Sequence, residues 1–97
     1  MEKLRLREEA VDVVRTFMEE ERRVVAIGHG AQLLISAGVL GGKRTTCSAG
    51  IRDDVRAAGG LYRDEAAVTD GHLLTGRGAD DLPQFCQQLI AFLSVRA

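Results

Sequence analysis

Apolar positions along the chain recur with two periods, and the switches between them mark out the elements. Ala10, Val11, Val14, Phe17 and Met18 return at three- and four-residue intervals, while Glu8, Glu9, Asp12, Arg15 and Glu19 fill the opposite face. This predicts an amphipathic helix from about Arg7 to Glu20 that covers a sheet. The charged run Glu19 to Arg23 ends it as a solvated connection. Val24-Val25-Ala26-Ile27 then reads as a buried parallel strand running through Gly28-His29-Gly30 into a second helix, Gln32 to Leu40, which carries Leu33, Leu34, Ala37 and Leu40 and stops at Gly41-Gly42. Lys43 to Cys47 is a short β-branched strand. Gly50 to Ala58 is a short helix with Ile51 and Val55 on its apolar side, Asp53 and Asp54 capping its start and Gly59-Gly60 ending it. Leu61 to Arg63 is a brief strand. Ala67 to Thr69 and His72 to Thr75 flank Asp70-Gly71 as a hairpin, and a last helix opens at Asp80 or Asp81, with Leu82, Phe85, Cys86, Leu89, Ile90, Phe92 and Leu93 on one stripe.

Strands alternating with helices predict an α/β fold: a small, mostly parallel sheet with an antiparallel hairpin and flanking helices. The order is unusual for a complete domain, because it starts on a helix and the strand expected at the centre comes first. The 97 residues therefore read as one partial domain, the second half of a larger doubly wound unit.

Composition narrows the function classes. With 45% hydrophobic and 28% charged residues and a formal net charge of -1, the chain has the character of a soluble globular protein, and no basic stripe marks a nucleic-acid surface. Aromatic residues make up 4% and Trp is absent, which argues against stacking platforms for single strands or sugars. Apolar runs break before the ~20 residues of a membrane span, and Met1 to Arg5 lacks the core of a signal peptide, so a cytoplasmic chain is expected. Cys47 and Cys86 fit no metal spacing and are expected to be reduced thiols; no metal or cofactor is expected. A domain this small has a thin stability margin.

The stretch Val25 to Leu40, with Gly50-Ile51-Arg52-Asp53-Asp54-Val55, Ala58-Gly59-Gly60, Val68-Thr69-Asp70-Gly71 and Arg77-Gly78-Ala79-Asp80-Asp81-Leu82-Pro83, resembles the C-terminal half of PfpI-like intracellular proteases of the ThiJ/PfpI group, within the class I glutamine amidotransferase-like superfamily. The resemblance implies half of a flavodoxin-like sandwich. In that family the elbow reads Ala-Ile-Cys-His-Gly-Pro-Gln; here Gly28 stands at the nucleophile position and Ala31 at the proline. His29 matches the family histidine. Glu2 matches an acidic residue that, in the oligomers, faces the Cys-His pair from a neighbouring subunit.

Each candidate has a plainer alternative. His29 is the remnant of a Cys-His pair, a ligand contact, or a polar residue at a helix start. Gly28 and Gly30 read weakly as an anion cradle, because glycines and free N–H groups at a helix start bind anions. Cys47, at a strand end, is a displaced nucleophile or a small core hydrophobe. Cys86 is expected in the core and His72 exposed, while Glu2 near a terminus is otherwise solvated. The leading expectation is a non-catalytic, truncated domain completed by self-association or by a chain supplying the missing N-terminal half. The alternatives are residual or displaced peptidase, amidase, deglycase or glyoxalase-like chemistry at His29 or Cys47, and an anion or small-molecule binding module at the elbow.

Overall fold

The structure is a computed structural model that describes residues 2–94, and side chains from residue 8 onward. Helix α1 (Glu2–Glu19) leads into β1 (Val24–Ile27), a single tight turn over Gly28–Gly30 and α2 (Ala31–Ala37). Then come β2 (Arg44–Thr45), α3 (Arg52–Ala57), β3 (Leu61–Tyr62), the hairpin β4 (Ala67–Asp70) and β5 (Leu73–Gly76), and α4 (Leu82–Ser94). No helix among the described residues is long and apolar enough to cross a membrane.

The α/β architecture is small and mostly parallel. β1 pairs with β5 in parallel, Val24 opposite Leu73 and Ile27 opposite Gly76, while β4 pairs with β5 antiparallel, giving the order β1-β5-β4. β2 and β3 form a separate parallel pair. Side chains stitch the two parts together in place of ladder bonds: the Arg44 N–H donates to Asp70 Oδ2 at 2.7 Å, and the Thr46 N–H donates to Thr75 Oγ1 at 2.9 Å. That is why the expected strand Lys43 to Cys47 shortens to Arg44–Thr45: beyond Thr45 the chain is held by side-chain oxygens.

Two apolar clusters flank the sheet. Met18, Leu34, Leu40, Cys47, Ile51, Val55 and Leu73 gather under α1, α2 and α3, with Val24 and Ala26 packed against them. Leu74, Ala67, Phe85 and Phe92 gather under α4. Arg15 of α1 donates from Nε to the Ala37 carbonyl at 3.3 Å, satisfying an acceptor at the end of α2.

The most buried strand is β5, whose four residues are all covered, and not β1 as its unbroken apolar run suggests. β1 alternates: Val24 and Ala26 are half-buried, whereas Val25 and Ile27 are 41% and 40% exposed. The apolar stripe expected on α4 also divides. Phe85, Leu89 and Phe92 face the sheet, while Leu82, Ile90 and Leu93 are exposed and Cys86 with them, so Cys86 is a surface thiol and not a core one.

Three helix ends share one geometry. In α1, α2 and α3 the chain closes with paired bonds running back five and three positions, such as Val39 N–H to the Leu34 carbonyl and Gly38 N–H to the Ile35 carbonyl. The residue that must turn left-handed is Glu21, Gly38 and Gly59 respectively. α2 therefore stops at Gly38, φ +69°, ahead of the expected Gly41-Gly42. The hairpin loop is Gly71-His72 and not Asp70-Gly71, because Asp70 still pairs with Leu73. Gly71 takes the positive φ of +61° at the first loop position, the requirement of a type II′ turn. Asp53 and Asp54 lie in the first turn of α3 without bonding as caps; Asp53 instead approaches Arg56 at 3.6 Å.

Candidate functional site

The site begins at the carboxyl end of β1. Ile27 is still extended, with φ -124° and ψ 136°; Gly28 reverses into the left-handed region at φ +58°, and by Gly30 the chain is helical. A turn this abrupt concentrates its strain on one residue, which glycine tolerates without a steric penalty. Gly28 is buried and His29, one residue on, is exposed. Gly30 is under no comparable demand, since a Cβ there would meet only the Ala26 methyl at 3.6 Å.

What faces the vacant side-chain position of Gly28 is a hydroxyl. A Cβ at residue 28 would lie 3.0 Å from Ser48 Oγ and 3.9 Å from the Arg77 carbonyl oxygen. The Ser48 hydroxyl donates to that carbonyl at 3.5 Å, a long and weak bond. Arg77 is held from the other side. Its guanidinium donates to Asp81 at 2.8 and 3.1 Å and to Asp64 Oδ1 at 2.9 Å, and its N–H donates to the Ala66 carbonyl at 3.0 Å. Hydrogen bonding to Arg77 holds the Asp81 carboxyl below its ordinary range, and the two carboxylates hold the guanidinium charged.

The sequence candidates separate in space. Gly28, His29 and Gly30 share the elbow. Cys47 does not join them: it is fully buried in the cluster with Leu34 and Val55, and burial, reinforced by the Asp54 charge, pushes its thiol pKa up, away from thiolate character. The side chain of Glu2 lies outside the described ones. His72 is at the opposite end of β5, its Nδ1 3.0 Å from the Arg22 carbonyl oxygen. Ser48 is the residue the sequence reading passed over. The available signal was its position: it follows the β2 segment, and carboxyl ends of neighbouring parallel strands converge on one rim of a sheet. Cys47 points into the core and Ser48, the next residue, reaches the elbow.

Three clefts lie elsewhere. One of about 290 Å³ runs between the hairpin turn and α4, past His72 and Phe92; others of about 430 and 490 Å³ lie beside α4 and between α2 and α3. None of the three is lined by Gly28, His29 or Ser48. Among the described residues no group of three or more His, Cys, Asp or Glu gathers to hold a metal ion. The elbow thus presents a left-handed turn that glycine adopts freely, an exposed imidazole and a serine hydroxyl, with no thiol at residue 28.

Comparison with known proteins places this geometry. The model of the DJ-1/PfpI family matches residues 1–92. An uncharacterized protein of Archaeoglobus fulgidus is 51% identical over 92 residues, covering 95% of this chain and 55% of its own length. Deglycase PfpI of Pyrococcus furiosus is 40% identical over the same shares. The chain thus spans about half the length of the curated relatives it matches. Among solved structures, a two-domain protein of Anabaena variabilis containing dj-1/thij/pfpi-like and ferritin-like domains superposes with a TM-score of 0.81 at 40% identity, over 86% of this chain and 24% of that one. A ThiJ/PfpI domain protein of Brachyspira murdochii shares the fold at 20% identity, with a TM-score of 0.83 over 91% of this chain and 51% of that one.

Proposed function

This chain belongs to the DJ-1/PfpI family, and from that premise we propose that residues 1–97 form a partial, non-catalytic domain of it, completed by association with further polypeptide. The observation that carries the reading is Gly28. The turn that would present the family's attacking thiolate is in place, with φ +58°, and bears no side chain. Acyl-transfer chemistry of this kind needs a positioned nucleophile with a base in reach. Here Gly28 offers His29 no thiol, and Cys47 is sealed in the core with a raised thiol pKa. His29 is accordingly a vestige of the pair, Gly30 a remnant of the turn, and Glu2 a position whose inter-subunit role has lost its target. A cytoplasmic setting is part of the proposal, since the free thiols Cys47 and Cys86 persist in a reducing compartment.

Relatives named as deglycases keep an enzymatic reading in view, and one assay separates the two. Purified protein is expected to give no peptidase, amidase or deglycase turnover above buffer, and iodoacetamide is expected to modify Cys86 but not Cys47 in the native state. Turnover abolished by His29→Ala or Cys47→Ser would overturn the non-catalytic reading.

A further inference from the structure

We infer that the cleft between the hairpin turn and α4 is a binding site for a free α-amino acid with an apolar side chain. It lies at the opposite end of β1 and β5 from the elbow, and the inference stands whether or not the elbow performs chemistry.

Three parts of the chain meet at this cleft. The connection between α1 and β1 supplies Glu21 and Arg23, the hairpin loop supplies His72, and α4 supplies Gln88, Ala91 and Phe92. Its volume of about 290 Å³ is at the lower limit of small-molecule sites, the size of a single amino acid and too small for a dinucleotide. Phe92, which belongs to the buried cluster under α4, and the Ala91 methyl give it an apolar side.

The polar groups around it divide between donors and acceptors. The Thr69 hydroxyl donates to Gln88 Oε1 at 3.2 Å, which fixes that amide and leaves its NH₂ to donate. His72 Nδ1 lies 3.0 Å from the Arg22 carbonyl oxygen, which can only accept. The proton therefore sits on Nδ1, and in the neutral ring Nε2 is left as an acceptor. Arg23 adds a fork of guanidinium donors and Glu21 a carboxylate. Arg23 and Gln88 thus suit a bound carboxylate, while Glu21 and His72 Nε2 suit a bound ammonium.

A zwitterion engages both sets. A purely apolar molecule gains nothing from Glu21 or Arg23. A simple carboxylate brings its charge up to Glu21, and a simple amine brings its charge up to Arg23, so each gains from one neighbour and loses to the other. An α-amino acid carries both charges on one carbon, to match two residues that are themselves close in the chain, and leaves its side chain for Phe92 and Ala91. The other two clefts lack this pairing of signs: Glu65 is the charged residue lining one and Asp54 the charged residue lining the other.

The test is an NMR titration of the chain with L-phenylalanine, alongside phenylpropionate, which lacks the ammonium, and phenethylamine, which lacks the carboxylate. L-phenylalanine is expected to bind with a Kd of about 1 mM, shifting the amides of His72, Gln88 and Ala91 and leaving Gly28 to Gly30 unmoved. Each analogue is expected to bind about tenfold more weakly or worse. Glu21→Gln, at an exposed position, is expected to weaken L-phenylalanine to the level of phenylpropionate without weakening phenylpropionate itself. Ala91→Leu, also exposed, fills the cleft and is expected to weaken L-phenylalanine about tenfold, whereas Gln84→Ala, in the neighbouring cleft, leaves binding unchanged. Equal affinity for either analogue would overturn the zwitterion match. Shifts confined to the elbow would overturn the location, and no shift at about 20 mM L-phenylalanine would overturn the site altogether.

Discussion

Placing a side chain at Gly28 isolates the cost of the elbow. The residue sits at φ +58°, where a Cβ costs about 1–2 kcal/mol, offset in part by about 0.4–1 kcal/mol because replacing glycine also restricts the unfolded chain. The new Cβ would lie 3.0 Å from Ser48 Oγ, which must rotate away and give up its 3.5 Å bond to the Arg77 carbonyl. That bond is long, so its loss adds roughly 0.5 kcal/mol. Gly28→Ala is therefore expected to destabilise by about 1–2 kcal/mol, or about 4–8 °C in Tm for each kcal/mol in a domain of this size. Gly38 supplies the control: at φ +69° it has the same backbone demand and nothing within 4 Å of its vacant Cβ position, so Gly38→Ala carries the backbone cost alone. Urea titrations of Gly28→Ala, Gly38→Ala and Gly28→Ala/Ser48→Ala separate the contributions. The Ser48 change is expected to relieve the excess of the first over the second. A Gly28→Ala protein as stable as the parent, or one indifferent to Ser48, would refute the reasoning.

Three further outcomes follow from local geometry. Glu21 holds the left-handed position at the end of α1 that Gly38 and Gly59 hold elsewhere, so Glu21→Gly is expected to raise stability by about 1 kcal/mol, read as an increase in Tm. A Cβ at Gly76 would fall 2.5 Å from Phe85 Cδ1, and that ring is buried. Gly76→Ala is expected to cost about 1–3 kcal/mol in urea unfolding, part of it recovered by Phe85→Leu. Arg77 lowers the Asp81 pKa in the folded state, so the pair's contribution is full above the ordinary carboxylate value and is lost as pH falls through the lower folded value. The urea midpoint of the parent is expected to fall more steeply than that of Asp81→Asn as pH drops below about 4.

Periodicity located the helices, the elbow strand and the hairpin, because each depends on which residues are apolar within a short window. It failed where the answer depended on what lies across the gap. Leu82, Cys86, Ile90 and Leu93 are as regularly spaced on α4 as Phe85, Leu89 and Phe92, and only the position of the sheet decides which row is covered. Val25 and Ile27 look like core from their β-branched neighbours, and their exposure follows from α4 packing on β4 and β5. The hairpin slipped by one because Asp70 can still pair with Leu73, which moves the positive φ of Gly71 to the first loop position. At the site, the turn was legible from Gly28 and Gly30. Ser48 was not, since its part depends on two strand ends meeting in space.

The elbow separates what the fold needs from what chemistry needs. The left-handed turn is required to carry the chain from β1 into α2 within a single residue, whether or not a side chain projects from it. A cysteine there holds its thiol out at the expense of backbone strain, a common arrangement at active sites. Glycine keeps the path without that strain. Ser48 Oγ lies 3.0 Å from where a Cβ at residue 28 would stand, so a side chain placed there meets both the strain and the hydroxyl.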